Sequence, residues 1–444
     1  MDILQNNKPG ERLQGWLSID YWNNILLLLY IFTMPFVSAF AFTGTISFPL
    51  IFAVFLFLLM GLKVLTTGKF PNSFFGFDTM VIFLLLFFVV FTFVINGWGN
   101  SKSLNHTVAY LSTFLLFYVT IKFTLFAIKD KELLFKRVLK FITYTTILSA
   151  LYSNAEFISS NVFKINLNDY VPRPSEAEEW YDATVLGLFY RARGFAPESG
   201  HFTFMMELFF PIVIYYIYFT GFCKWNKIFK ALSIFSIVLS FIFAVSTASF
   251  AIVPASFFVA SAIYAKRIFF YIKKHFLKIA ATTVVTSAVI LVLNYFFSFY
   301  TFIFLSVTDK LDSGSFDQRQ AKIDFFYDTF SRFDIIKKLS GAGPGGFYIL
   351  GFDRSNSILS FYHNVTFEIG FFGLLLILAL FFYVVVSAST IKDKIGFFLL
   401  ASFMSGLLHF FIIANFWYPW FWFIAAFIIF CNKKIETKNK NLLL

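Results

Sequence analysis

Charged residues are scarce in this 444-residue chain, and cysteine is almost absent. Asp, Glu, Lys and Arg make up 14% of the sequence, whereas an ordinary soluble domain contains about 25%. Hydrophobic residues make up 59%, and so few charges cannot cover that much apolar surface in water. The composition therefore excludes a soluble enzyme and, despite a net charge of +12, a nucleic-acid-binding protein. The only two cysteines, Cys223 and Cys431, exclude a disulfide framework and a cysteine metal site.

Long apolar runs dominate the sequence. A helix that crosses a bilayer needs about 20 mostly apolar residues, so the hydrophobic residues suffice for about 12 such helices. The runs that fit lie at 23–42, 45–62, 79–96, 107–127, 137–153, 202–221, 228–245, 248–264, 278–299, 362–388, 396–414 and 415–431. They predict an all-α polytopic membrane protein that forms a single membrane domain over residues 1–444. Two pairs of runs, 228–245 with 248–264 and 396–414 with 415–431, are almost contiguous, which predicts a tight helical hairpin or a re-entrant segment at each.

The charged residues are distributed unevenly between the loops. If the N-terminus is inside, the inner loops hold 24 of the 36 Lys and Arg residues, and the outer loops hold 16 of the 24 acidic residues. Because cytoplasmic loops are enriched in Lys and Arg, both termini are predicted to be cytoplasmic. The first 22 residues lack the features of a cleaved signal peptide and are expected to form a short arm. Residues 432–444 are expected to form a cytoplasmic tail with a disordered end.

Two outer loops, 154–201 and 300–361, are much longer than the others. We call them the first and the second long loop. Loops of this length are usually either functional or disordered. Both contain aromatic residues among their charges, which favours ordered structure in each.

Glu207, Glu368 and His409 are ionisable residues that fall within the predicted spans. A titratable group inside a membrane is costly to bury and is a functional candidate by default. All three lie in the outer half of their spans under the predicted topology. The alternative interpretation is that each lies close enough to the interface to be solvated.

The first long loop ends in the segment RARGFAPESGHF, residues 191–202. Arg191 and Arg193 are two residues apart, so an extended segment places both on one side, and guanidinium groups bind phosphate oxygens with bidentate geometry. The Gly and Pro that follow predict a sharp turn into the next helix. Glu198 and His201 share a face if that helix has begun. The alternative interpretation is a pair of interfacial anchoring arginines and a helix cap.

The second long loop carries GAGPGGF at 341–347 and a His-Asn pair where the next span begins. The glycines allow a backbone turn whose N–H groups could face an anion, although a plain flexible loop also explains them. Asn364 is predicted to be the N-cap of the span, whose N-terminus favours an anion. His363 has an ordinary pKa near ~6.5, which suits proton transfer at neutral pH. The alternative is that His363 is simply an interfacial residue.

These elements, in this order, resemble the superfamily of O-antigen polymerases of the Wzy type and O-antigen ligases. The resemblance covers roughly residues 191–210 and 315–390, and the other spans match only in number and topology. The matching positions are Arg191, Gly194, Arg319, Gly341, Gly343, Phe347, His363, Asn364, Glu368, Gly370 and Gly373. After the first glycine this chain has APES, whereas the ligase branch more often has Pro-Asn there. An acidic residue at that point is more typical of the polymerase branch.

The resemblance implies a GT-C-like membrane fold and a glycosyltransferase of the hexosyltransferase type on the outer face of a bacterial inner membrane. The donor would be a glycan on undecaprenyl diphosphate, and the acceptor a sugar hydroxyl of another lipid-linked repeat unit. Membrane lipids surround such an enzyme, and a chain-length regulator protein is a possible partner. The residues implied for binding the diphosphate or the substrate are Arg191, Arg193, Arg319, His201, Asn364, Glu368 and Gly343. His363 or Glu198 would be the catalytic base.

No cofactor and no metal are expected. Negative charge that builds on a departing diphosphate must be stabilised by a metal ion or by fixed cations. The outer loops contain no D-x-D sequence, so the arginines are the expected diphosphate ligands.

Two other functions stay open at this point. An O-antigen ligase would use the same chemistry and differ only in its acceptor, the lipid A core. A flippase or exporter of lipid-linked saccharides would also have 12 spans and a cationic site, but it does not predict that two long outer loops hold nearly all the distinctive motifs.

Overall fold

Helices make up most of the described structure. The computed structural model describes residues 19–43, 46–173, 184–185, 189–267, 295, 314–352 and 358–441. The α-helices before the first long loop are α1 (Ile19–Thr33), α2 (Phe48–Thr67), α3 (Phe77–Thr92), α4 (Ser101–Leu111), α5 (Ile121–Ala127) and α6 (Lys131–Ile158). Those after it are α7 (Ser199–Ile214), α8 (Lys227–Ala244), α9 (Thr247–Ile263), α10 (Gly314–Ser331), α11 (Ile335–Ser340), α12 (Gly346–Ile349), α13 (Phe361–Thr390), α14 (Lys394–His409) and α15 (Pro419–Asn441).

Several α-helices continue as π-helical segments. These are Phe93–Gly97 after α3, Ser112–Thr120 between α4 and α5, Ser159–Phe163 after α6 and Tyr215–Phe219 after α7. With these continuations, six helices in the described ranges are long and apolar enough to cross a membrane: Phe48–Thr67, Phe77–Gly97, Ser101–Ala127, Ser199–Phe219, Lys227–Ala244 and Phe361–Thr390. The prediction of an all-α membrane protein is confirmed at this level.

The ends of the chain differ from the predicted boundaries. The first run, 23–42, is helical only to Thr33, because Pro35 disfavours helical backbone at the residue before it. The tail expected to be disordered continues α15 as far as Asn441. The predicted span at 278–299 lies outside the described residues.

The two nearly contiguous pairs of runs are not tight hairpins. Only Val245 and Ser246 separate α8 from α9, yet α8 packs mainly on α6, and α9 packs mainly on α14. Val245 has a φ of 45°, in the left-handed region, and this ends α8. In the second pair, α14 ends at His409 and α15 begins at Pro419, so residues 410–418 form a connection rather than parts of two spans.

The predicted inner ends of the helices meet at one end of the bundle. The Lys63 ammonium donates to the Asp20 carboxylate and to the backbone carbonyl of Ala127. Lys434 pairs with Glu132 at 2.6 Å. These contacts join α1, α2, α5, α6 and α15 at this end.

A buried ion pair lies near the same end. Lys122 Nζ donates to Asp78 Oδ2 at 2.6 Å and to Thr79 Oγ1 at 2.7 Å, and the Tyr118 hydroxyl donates to the same Asp78 oxygen at 2.6 Å. Lys122 and Asp78 are both fully buried. The burial of Lys122 is tolerated because Asp78 compensates its charge.

The predicted outer ends meet at the other end of the bundle, which we call the loop end. There the backbone N–H of Ala39 donates to the carbonyl of Phe195 at 3.1 Å, and that of Phe361 donates to the carbonyl of Phe410 at 3.0 Å. A short antiparallel pair, β1 (Thr184–Val185) and β2 (Phe189–Tyr190), lies in the first long loop and aligns Thr184 with Tyr190.

Helix α13 is broken near the loop end. Gly370, inside it, has a φ of 67° and a ψ of −174°. The break frees two backbone carbonyls: that of Phe367 accepts the N–H of Ala342 at 2.8 Å, and that of Glu368 accepts the N–H of Gly343 at 2.9 Å. A break in a membrane helix is tolerated where neighbouring protein satisfies the backbone. The described part of the second long loop is therefore ordered around this break.

Candidate functional site

The segment after β2 is held as a turn by two charged side chains. Glu156 Oε2 accepts the backbone N–H groups of Arg193 at 3.1 Å and Gly194 at 2.8 Å. Arg173 donates to the carbonyls of Gly194 and Ala196, each at 2.6 Å. The sharp turn predicted here is therefore present. Its backbone N–H groups are held by the buried Glu156 carboxylate, and its carbonyls are held by the Arg173 guanidinium.

The two arginines of this segment lie in different surroundings. Arg193 is 5% exposed and donates to the carbonyl of Pro197 at 3.1 Å. Arg191 Nε donates to the carbonyl of Ala244 at 3.2 Å, and its charge interacts with Glu198. The two guanidinium groups therefore have different partners, and that of Arg193 is held by a carbonyl of the turn itself.

A cluster of cations forms where the two long loops meet. Burial lowers the pKa of Arg191, Glu198 opposes this shift, and Arg319 adds to it. Burial also lowers the pKa of Lys322, with Arg319 adding to the shift and Glu198 opposing it. Because Arg319 and Glu198 each influence both Arg191 and Lys322, the four groups lie in one neighbourhood. We call Arg191, Arg319, Lys322 and Glu198 the cation cluster; it has three basic groups and one carboxylate.

Helix α10 connects the cation cluster to His363. Arg319, Lys322 and Phe326 follow a spacing of three and four residues, so they share one face of α10. The Phe326 ring stacks on the His363 ring with centroids 4.3 Å apart, and Tyr327 meets His363 edge-on at 5.6 Å. At 1.5 Å of rise per residue, Phe326 lies about 10 Å along the helix from Arg319. His363 is half-buried.

His201 extends the cation cluster towards the interior. Helix α7 begins at Ser199 with Glu198 at its N-cap position, and His201 Nδ1 lies 3.2 Å from Glu198 Oε1. His201 Nε2 lies 2.8 Å from Asn415 Nδ2. If the amide donates to Nε2, the proton of a neutral imidazole is on Nδ1 and faces the carboxylate. The shared face predicted for Glu198 and His201 is confirmed.

A buried pair lies behind His201. His409 Nδ1 is 2.7 Å from Glu207 Oε2, and Phe204 stacks on the His409 ring at 4.7 Å. Glu207 and His409 are 0% and 1% exposed. Their interpretation as solvated interfacial residues is therefore wrong, and each is instead compensated by the other.

The glycine turn of the second long loop encloses Glu368. Glu368 Oε1 accepts the backbone N–H of Gly345 at 2.9 Å and lies 2.8 Å from His106 Nδ1. Glu368 is 1% exposed, so it is not solvated either. The predicted turn with N–H groups facing an anion exists, but Gly343 donates to the α13 backbone and Gly345 to Glu368. The turn thus binds an internal carboxylate.

Asn364 is not the N-cap of its helix. Helix α13 begins at Phe361 with Ser360 at the N-cap position, and the backbone N–H of Asn364 donates to the Ser360 carbonyl at 2.8 Å. Asn364 therefore lies within the first turn, next to His363 at the loop end.

Two glycines let the second long loop approach α13 closely. Gly341 has a φ of +80°, and a Cβ there would lie 2.3 Å from the Glu368 carbonyl oxygen. A Cβ at Gly370 would lie 2.2 Å from the carbonyl oxygen of Leu339. A side chain at either position would force α11 away from the break in α13.

Replacing Gly341 with alanine is expected to destabilise the protein by more than the roughly 1–3 kcal/mol that a strained backbone conformation alone costs. Thermal unfolding of the purified protein measures this loss. Gly351→Ala is the matched control, because Gly351 also has a positive φ (+81°) but has nothing within 4 Å of a Cβ. An equal loss of stability in the two variants would contradict the close approach.

Several residues of the site carry no signal in the local sequence. Glu156 and Arg173 fix the arginine turn from separate parts of the chain, and Asn415 reaches His201 from the connection between α14 and α15. Lys322 could have been found, because it follows Arg319 by three residues.

Comparison with protein-family models and with curated proteins finds no match to this chain.

Proposed function

We propose that this protein is a metal-independent glycosyltransferase that polymerises oligosaccharide repeat units carried on undecaprenyl diphosphate. The observation that carries the proposal is the cation cluster. Two long loops, far apart in sequence, contribute Arg191 from one and Arg319 with Lys322 from the other. Three basic groups against one carboxylate leave an excess of positive charge, which suits a ligand with two phosphates.

The reaction assigns a task to each part of the site. The acceptor hydroxyl oxygen attacks the anomeric carbon of the donor, and the bond from that carbon to the diphosphate oxygen breaks. Arg191 and Arg319 bind the departing diphosphate and stabilise the charge that develops on it. The hydroxyl proton passes to a base. Arg193 is assigned to the turn rather than to the ligand, because its guanidinium is directed to the carbonyl of Pro197.

His363 is the proposed base. It is half-buried at the loop end, and Phe326 fixes its ring through a parallel stack. Because α10 carries both Phe326 and Arg319, a sugar bound next to the diphosphate would extend along this helix towards His363. Glu198 is the rival base, since it lies inside the cation cluster itself.

The proposal also includes a finer architecture: 12 spans, a GT-C-like fold, a bacterial inner membrane and cytoplasmic termini.

Cysteines introduced at Ser175 and Ser315 are expected to react with an impermeant thiol reagent in intact cells, because the Lys and Arg bias predicts that both long loops lie outside. The native Cys223 and Cys431 are buried and give little background. A cysteine at the exposed Asp130 is the control and should react only after lysis. The reverse pattern would invert the topology.

Activity of the purified protein is expected to survive excess EDTA. Fixed cations can supply the charge that a divalent ion would otherwise bring to the diphosphate. The measurement compares turnover before and after chelation. Loss of activity that Mg²⁺ or Mn²⁺ restores would show that acidic residues of the long loops bind a metal ion.

The product tests the function itself. Purified protein incubated with a lipid-linked repeat unit is expected to form longer glycans that stay on the carrier lipid. Transfer to lipid A core, when this acceptor is supplied, would identify a ligase instead. Transport of the substrate across a vesicle membrane without any new glycosidic bond would identify a flippase.

A further inference from the structure

Exposed apolar side chains cluster on α11, in the second long loop. Ile335 is 69% exposed, Ile336 is 71% exposed and Leu339 is 53% exposed. The helix also carries Lys337, which is exposed, and Lys338, which is partly exposed. A water-facing loop rarely presents so much apolar surface unless a partner covers it.

The arrangement around α11 is amphipathic. Successive residues of an α-helix are rotated by about 100°, so Ile335, Leu339 and Ile336 occupy one arc of roughly 100°. Lys338 and Lys337 then flank this arc, one on each side. An apolar face bordered by lysines is the pattern of a helix that lies in the plane of a membrane interface.

The depth of α11 agrees with such a position. The backbone of Leu339 touches Gly370 at the break in α13. From the break to Thr390, α13 measures about 30 Å at 1.5 Å per residue, which equals the thickness of the hydrocarbon core of a bilayer. Charged residues begin at Lys392. The break therefore lies at the boundary between hydrocarbon and headgroups at the loop end.

The apolar face near α11 is continuous with the lipid-facing surface of α13. Phe330 of α10 contacts Phe371, the first residue after the break, with ring centroids 5.4 Å apart. Phe371 is 45% exposed, and Leu375, one turn further, is 65% exposed. The apolar surface thus extends from the membrane span onto the long loop at one level.

We propose that α11 is a membrane-interface anchor of the second long loop. Ile335, Ile336 and Leu339 insert among the acyl chains of the leaflet at the loop end, and Lys337 and Lys338 bind the phosphates of anionic lipid headgroups. The anchor holds the glycine turn, and through it the loop that carries Arg319, at a fixed depth in the membrane. This inference does not depend on the proposed enzymatic activity.

Quenching by brominated phospholipid tests the insertion. A bimane fluorophore is attached to Ile336→Cys in the full-length protein, which is reconstituted in nanodiscs of brominated phosphatidylcholine. The buried Cys223 and Cys431 stay in place. Leu375→Cys, on the membrane span, is the positive control, and Asp328→Cys, whose side chain is 80% exposed, is the negative control. Quenching at 336 is expected to match that at 375.

Quenching at 336 as weak as at 328 would overturn the anchor. Such a result would mean that the apolar face of α11 contacts a protein partner or a second copy of the chain.

The role of the lysines is tested by the ratio of quenching in brominated phosphatidylglycerol to quenching in brominated phosphatidylcholine at equal mole fraction. Lys337→Gln and Lys338→Gln are each expected to lower this preference by roughly five-fold. An unchanged ratio in the double variant would overturn the headgroup contact.

Discussion

Replacing Arg319 with alanine is expected to lower turnover of a lipid-linked oligosaccharide by roughly 10²–10³-fold, the usual cost of losing a donor that stabilises developing charge. Arg319 is exposed on α10, so its removal leaves no buried partner unsatisfied and should not unfold the protein. Arg191→Ala is expected to reduce turnover to a similar extent. Initial rates on a defined diphosphate-linked substrate, measured together with thermal stability, check both variants.

Two further variants separate geometry from charge. Arg319→Lys keeps a positive charge but loses the planar fork that matches phosphate oxygens, so it should recover only part of the rate. Arg332→Ala is the matched control, because the Arg332 side chain is 79% exposed and pairs only loosely with Asp328 at 3.7 Å. It should turn over at the wild-type rate. Wild-type turnover by Arg191→Ala and Arg319→Ala would remove the diphosphate role from both arginines.

The charges around the site explain why these two arginines, and not Arg193, are expected to bind the ligand. Arg193 and Arg173 lie beside Glu156, which compensates their charge. Arg319 acts electrostatically on both Arg191 and Lys322, and Glu198 is the one carboxylate that acts on these two groups. Repulsion within this group is relieved when an anion binds, so binding of a diphosphate also stabilises the junction of the two long loops.

The sequence was sufficient to find the residues whose chemistry is local. Arg191, Glu198, His201 and His363 stood out because charged residues are rare here, and because each occurs at the edge of an apolar run. Helix α7 was predicted almost from its first residue, since the turn before it contains glycine and proline. The contact between Glu198 and His201 followed directly from helical spacing.

The parts that could not be predicted depend on contacts between distant segments. The sequence around the glycine turn does not indicate that its N–H groups donate to Glu368 rather than to a ligand. This arrangement depends on the break of α13 at Gly370. The contact between Asn415 and His201 requires that α14 end at His409, whereas the apolar run continues beyond it. A hydropathy profile does not reveal the end of α14, since the residues that connect it to α15 are themselves apolar.

The pairing of Glu207 with His409 is another contact between distant segments that could not be predicted from the sequence. Each is an ionisable residue within an apolar run, but no local pattern indicates a partner for either. The structure brings them to 2.7 Å across α7 and α14, so each offsets part of the cost of burying the other. Glu207 and His409 are thus paired with each other inside the protein, whereas His363 is half-buried next to α10.

Replacing His363 is expected to lower turnover by about 10²–10⁴-fold, the range for loss of a general base. A neutral imidazole accepts the hydroxyl proton, whereas an imidazolium cannot. Wild-type turnover should therefore be constant while the imidazole is neutral and fall about tenfold per pH unit once the imidazole is protonated. His363→Phe is the most informative variant, because it keeps an aromatic ring to stack on Phe326 and loses only the proton acceptor.

The pH–rate profile decides between His363 and Glu198 as the base. An inflection that disappears in His363→Phe and persists in Glu198→Gln, with both variants folded, supports His363. If the inflection persists in His363→Phe and disappears in Glu198→Gln, the glutamate is the base. Glu198→Gln is isosteric, so a loss of turnover in it reflects the missing carboxylate charge. Wild-type turnover and an unchanged profile in His363→Phe would leave the histidine with no part in proton transfer.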